Sequence, residues 1–150
     1  MIFLASGFIA PAATKTALIL GSTANIRPRI LRYKVSTTGV PSSDQSLEYQ
    51  VRRATALGTS TAYTLQNTDP SDSGVAAVLT AGTNCSVEPT YAAGFMEDTG
   101  INPRQTHTWI AYSPDEEWIL PAVAANGIGW QITGAGGAAG NFLVNASVRQ

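Results

Sequence analysis

Period-two alternation runs through this chain and excludes most ways of packing it. In "NFLVNASVRQ", Phe142, Val144, Ala146 and Val148 alternate with Asn141, Asn145, Ser147 and Arg149, so an extended segment has one apolar and one polar side. "RPRILRYKVSTTG" sets Leu31, Tyr33 and Val35 against Arg32 and Lys34, and "SLEYQVRRAT" sets Leu47, Tyr49 and Val51 against Glu48, Gln50 and Arg52. These two read as half-buried strands of one sheet, joined across the turn-rich "TTGVPSSDQ". Shorter runs recur in "KTALIL", "TYAAGFM", "THTWIAY" and "EWILPAV", and a strand starting at Tyr63 and Leu65 ends at the turn formers of "QNTDPSDSG". No apolar stripe at helical spacing persists, and no window longer than about three turns is free of Gly, Pro or β-branched clusters.

About eight short strands separated by turn chemistry predict an all-β fold, a two-sheet antiparallel β-sandwich. At 150 residues the jelly-roll type fits best, and a core can form without staples. The expected organisation is a single sandwich domain over 15–150, preceded by an apolar N-terminal arm or first strand over 1–14. "AVAANGIGWQI" predicts a hairpin with Asn126 and Gly127 as a type I′ loop, Ala125 facing Ile128 and Val123 facing Trp130. Trp118 and Leu120 fall on the opposite parity, which places a bulge or bend near Pro121. The run "GAGGAAG", Gly134 to Gly140, fits a relaxed nucleotide-cradling fingerprint. A strand leaves it where a helix is required, so it reads as a loop between antiparallel strands.

The opening "MIFLASGFIAPAATK" bears on assembly. No Lys or Arg precedes its apolar run, and the run is too short to span a bilayer, so it reads as part of the fold and not as a leader or anchor. Ile2, Phe3, Leu4, Phe8 and Ile9 cannot all face inward on one strand, because neighbouring side chains point to opposite faces. Some are therefore expected to be covered by another surface, which makes the segment a candidate assembly arm. Composition agrees: only 13% of residues are charged, which suits a chain that hides surface against partners. The net charge of −1 gives no pull toward nucleic acid or an anionic membrane.

Catalytic chemistry finds little to work with. The single histidine, His107, shares a face with Trp109 in "QTHTWIAY" and has no partner motif; a packing or surface role is expected. The single cysteine, Cys85, excludes an internal disulfide and reads as a small core or loop residue. "NTDPSDSG" gathers Asn67, Asp69, Ser71 and Asp72, but an EF-hand would need Gly where Asp72 stands and Glu where Val78 stands, so an Asx-type turn is expected. Asp115, Glu116 and Glu117 in "SPDEEW" read as a solvated turn, and Trp109, Trp118 and Trp130 as core or interface residues. No catalytic, cofactor or metal site is expected. The basic residues Lys15, Arg27, Arg29, Arg32, Lys34, Arg52 and Arg53 cluster early, either paired across strands or meeting acidic patches of other subunits or of a larger acidic scaffold.

Laid out this way, the chain resembles the small all-β decoration or cement proteins of tailed-bacteriophage heads. The likeness lies in "RILRYKVSTTGVPSSDQSLEYQVRRATALGTSTAYTLQNTDPSDSGVAA", "VEPTYAAG" and "ILPAVAANGIGWQITGAGGAAGNFLVNASV", most of the chain after residue 26. The resemblance implies a homotrimer seated on the major capsid protein at the virion surface, with no functional residues to transfer one by one. The rival expectation is a carbohydrate-binding jelly-roll module that recognises a host surface through exposed Trp and acidic loops.

Overall fold

The computed structural model describes residues 1–41, 43–69, 71, 79–134 and 140–150. Its strands are β1 (Ile2–Ile9), β2 (Lys15–Gly21), β3 (Arg29–Thr37), β4 (Leu47–Ala56), β5 (Thr59–Tyr63), β6 (Gln66–Asn67), β7 (Thr80–Val87), β8 (Thr90–Tyr91), β9 (Glu97–Ile101), β10 (His107–Ile110), β11 (Trp118–Ile119), β12 (Gly127–Gly134) and β13 (Phe142–Arg149). They form two antiparallel sheets. Sheet A runs β10-β3-β13-β1-β6 with β11 also on β3, and sheet B runs β5-β7-β2-β12-β4-β8 with β9 also on β4.

The pairing is that of a long hairpin rolled up on itself. β1 pairs with β13, β2 with β12, β3 with β10 and β4 with β9. Consecutive strands β1 to β4 alternate between the sheets, which is the jelly-roll arrangement expected from the sequence. Its cause is visible in the burial pattern: alternate residues of β1, β3, β4 and β13 are buried, so each strand has one face for a shared interior.

That interior is filled by Leu18, Leu20, Ile30, Tyr33, Val35, Leu47, Tyr49, Val51, Ile128, Trp130, Ile132, Phe142, Val144 and Val148, all fully buried. A smaller apolar cluster of Ile19, Ala54 and Cys85, with Leu57 and Tyr91 packed on it, forms separately. At one corner the sheets nearly touch. A side chain at Gly7 would collide with the Ala17 carbonyl and Leu18, so only glycine lets β1 approach β2 there. Thr83 ties the same corner: its hydroxyl accepts from the Phe8 amide at 2.8 Å and lies within donating distance of the carbonyls of Phe8 and Ala17, 3.2 and 3.1 Å away.

Several expectations are corrected. β3 and β4 lie in opposite sheets, not in one; a half-buried alternation is the same whether two strands sit side by side or face each other. A bulge opposite Ser147 and Val148 turns Ile30 inward, leaving Leu31 half-buried. Asn126 and Gly127 close no hairpin: β11 pairs with β3 in sheet A, and Gly127 opens β12 in sheet B. Gly127 is small because a side chain there would meet the Leu20 carbonyl; the positive φ belongs to Ala125, at 68°. The strand expected to start at Tyr63 ends there as β5.

Of the two readings of residues 1–14, arm or first strand, residues 2–9 form a first strand, β1, paired with β13 along its whole length and with β6 at Phe3 and Leu4. The loop 135–139 of "GAGGAAG", and Pro70 and Asp72 to Val78 around "NTDPSDSG", lie outside the described residues.

Candidate functional site

The outer face of sheet A is built by residues of one parity. Because paired residues share a face, the register defines rows across the strands. One row runs Gln66, Leu4, Ser147, Arg32, Ile110 from β6 to β10, and the next runs Ser6, Asn145, Lys34, Thr108. Phe8, Leu143 and Ser36 form a third. Leu4, Phe8 and Ile110 are 39%, 49% and 44% exposed. They are large apolar side chains standing in solvent on one sheet face.

Leu4 borders a groove of about 500 Å³ on this face, lined also by Ser6, Arg32, Lys34, Tyr63, Gln66, Thr108, Asn145 and Ser147. Among the described residues no carboxylate lines it. Arg32 Nε donates to Ser147 Oγ at 3.0 Å, which fixes the guanidinium over the face. Neither Arg32 nor Lys34 makes an ion pair among the described residues. Arg29 and Arg149, further along the sheet, share one counter-charge instead: both reach Glu117, Arg149 at 2.5 Å and Arg29 at 3.2 Å. Glu117 was expected in a solvated turn, but its side chain is only 7% exposed. Asp115 and Glu116 do stay in solvent.

Inside the sandwich a polar cluster joins the sheets. The Glu97 carboxylate, on β9 of sheet B, accepts from the hydroxyls of Tyr33, Tyr49 and Thr99. The Tyr49 hydroxyl also lies 3.1 Å from His107 Nδ1, a hydrogen bond whose donor is set by the imidazole tautomer. Burial, reinforced by Tyr49 and Glu97, raises the Tyr33 phenol far above its ordinary range; burial likewise raises Tyr49. Both phenols therefore remain donors. Beside them Trp109 and Trp118 stack at 4.3 Å, and Tyr33 lies 5.7 and 5.5 Å from the two rings. Trp130 meets Tyr33 edge-on at 5.5 Å from sheet B. The cluster holds the sandwich together and presents no activated nucleophile.

The five apolar residues singled out in the N-terminal segment divide by parity. Phe3 and Ile9 are core residues at 2% and 6% exposure, Ile2 is half-buried, and Leu4 and Phe8 face outward. His107 and Trp109 share the inward face of β10, as their spacing predicts. Cys85 is buried in the smaller cluster, where desolvation pushes its thiol up to about 11. Asp69 caps a turn: its carboxylate accepts from the Ser71 amide and hydroxyl, which hold it below the usual carboxylate range. Among the described residues no group of three or more His, Cys, Asp and Glu is placed to hold a metal ion, and no helix is long and apolar enough to cross a membrane. The Glu97 cluster escapes sequence reasoning because its members lie far apart along the chain. The Arg32 and Lys34 pair was visible as the wet side of an alternating strand, but not its lack of counter-charges.

Fold and face together define a jelly-roll β-sandwich whose outer sheet A surface carries exposed apolar side chains and two cations without ion-pair partners among the described residues. Comparison with protein-family models, with curated proteins and with solved structures finds no match.

Proposed function

We propose that this chain is a structural virion protein: a decoration or cement protein that binds an assembled phage head, as a homotrimer, through the outer face of sheet A. One observation carries the reading, the exposure of Leu4, Phe8 and Ile110 on the same sheet face as two cations, Arg32 and Lys34, that pair with no described residue. Covering a large apolar side chain is worth roughly 1.5–3 kcal/mol, so a few such anchors sustain attachment. The partners are then a second and third copy of the chain and the major capsid protein.

The carbohydrate-binding alternative draws on the groove's amide and hydroxyl lining. The exposed Trp residues it calls for are not on this face: Trp130 is fully buried, and Trp109 and Trp118 pack on the core around Tyr33.

The test is co-sedimentation of the purified protein with undecorated heads of the phage that encodes it, with light scattering to give its mass as a multiple of 15.7 kDa. Saturable binding that is lost in Leu4→Ser/Phe8→Ser supports the reading. A monomer that passes the heads by, or binding indifferent to that pair, overturns it.

A further inference from the structure

Resting on that docking reading, we infer that the groove of sheet A takes an extended, acidic segment of a partner protein, with a carboxylate between two apolar side chains. Charge complementarity carries the argument. The groove holds Arg32 and Lys34, and among the described residues no carboxylate lines it and none pairs with either cation. Arg29 and Arg149 on the same sheet share Glu117 as a partner, whereas Arg32 and Lys34 have no ion-pair partner among the described residues. Arg32 is held through Nε by Ser147, which leaves its terminal nitrogens for the two-toothed grip that guanidinium gives a carboxylate.

The pattern follows from spacing. Leu4, Ser147, Arg32 and Ile110 lie on four adjacent strands, so the row spans three inter-strand steps, roughly 14 Å. A segment crossing the strands rises about 3.3 Å per residue and turns alternate side chains to the face. It therefore places about three side chains along the row: an apolar one on Leu4, an acidic one within reach of Arg32 and Lys34, and an apolar one on Ile110. Tyr63 and Gln66 wall the β6 end. An acidic saccharide shares the charge but not the two apolar ends.

The experiment titrates the intact protein by NMR with a peptide carrying Leu, Glu and Leu at alternate positions in a Ser/Gly background. The same peptide with Gln for Glu, and an oligogalacturonate, serve as comparisons. Saturable shifts on β3, β13 and β1 with the Glu peptide, weakened about tenfold by Arg32→Gln/Lys34→Gln and by the Gln peptide, are expected. No shifts up to roughly 5 mM, a range that would still reveal weak binding, would overturn the inference. So would equal binding of the Gln peptide or of the double variant, or binding of the oligogalacturonate alone. Circular dichroism checks that the variant is folded. Heads separate this inference from the reading beneath it. If Arg32→Gln/Lys34→Gln still binds them while Leu4→Ser/Phe8→Ser does not, the acidic segment is wrong and docking stands. If the wild-type protein binds no heads, docking itself fails.

Discussion

Tyr33 on β3 and Tyr49 on β4 reach from opposite sheets to the same carboxylate, that of Glu97, and their hydroxyl oxygens come within 3.5 Å of each other. The pair spans the sandwich at the point where a purely apolar core would have had only dispersion to hold the sheets in register. Tyr33→Phe deprives Glu97 of a donor in a buried setting and is expected to lower the unfolding free energy by about 1–3 kcal/mol. Because both phenols serve one carboxylate, Tyr33→Phe and Tyr49→Phe should combine non-additively, with a coupling of about 0.5 kcal/mol or more. Urea unfolding of the two single variants and the double variant measures it; strict additivity would show that the hydroxyls act independently.

Alkaline stability should track the buried phenols and the thiol. Burial, with a smaller push from Glu88, raises Cys85 from an ordinary 9.0 to about 11. The unfolded chain then loses this proton before the folded chain does. The thiol's contribution is whole below pH 9.0, and it is lost as pH climbs toward 11. Tyr33, Tyr49 and Tyr91 are raised from 10.0, chiefly by burial, and act in the same sense at higher pH. Melting temperature should fall from about pH 9 upward, and Cys85→Ser should flatten the first part of the decline. The native thiol should also react slowly with a disulfide reagent at pH 8; a fast, complete reaction without unfolding would contradict its burial.

Phe3 and Leu4 are neighbours with opposite fates. Phe3→Ala empties a core position that is 2% exposed and is expected to cost about 3–5 kcal/mol. Leu4→Ser changes a solvent-facing side chain and should stay within about 0.5 kcal/mol of wild type. Removing residues 2–9 takes away the whole of β1 and uncovers β13, so the truncated chain should lack a cooperative melt. A truncated chain that unfolds like wild type would show β1 to be dispensable.

The Gly7 corner gives a separate test of how closely the sheets approach. Gly7→Ala drives a methyl group against the Ala17 carbonyl and Leu18, and about 1–3 kcal/mol of destabilisation is expected from overpacking. Thr83→Val keeps the shape but strands the amide of Phe8, at a cost of about 1–3 kcal/mol. Thermal melts of both suffice. A neutral Gly7→Ala would mean that the corner opens freely.

Strands were legible wherever parity was clean. Phe142, Val144, Ala146 and Val148 are all buried, as their spacing predicts. Sheet membership was not legible, because Tyr33 and Tyr49 have the same alternation whether they are neighbours or face one another. The Asn126-Gly127 pair misled because glycine answers to two different demands, positive φ and close approach, and here the second governs. Arg32 and Lys34 were visible as charges on a wet face. Their lack of counter-charges depends on strands drawn from both ends of the chain, and a local pattern carries no trace of that.

The order in which the strands leave the ribosome runs against the order in which they lie in the sheets. β13 sits between β1 and β3, and β12 sits between β2 and β4. The first four strands therefore have no central partners until residues 127–149 have been made. A nascent chain halted at residue 126 would have β1 to β4 paired along one edge only, with each sheet split where β13 or β12 belongs, and those open edges would be targets for chaperones and for self-association. Productive folding must then wait for synthesis to pass β13, and rapid translation of the closing segment would shorten the time during which those edges are open to the cell.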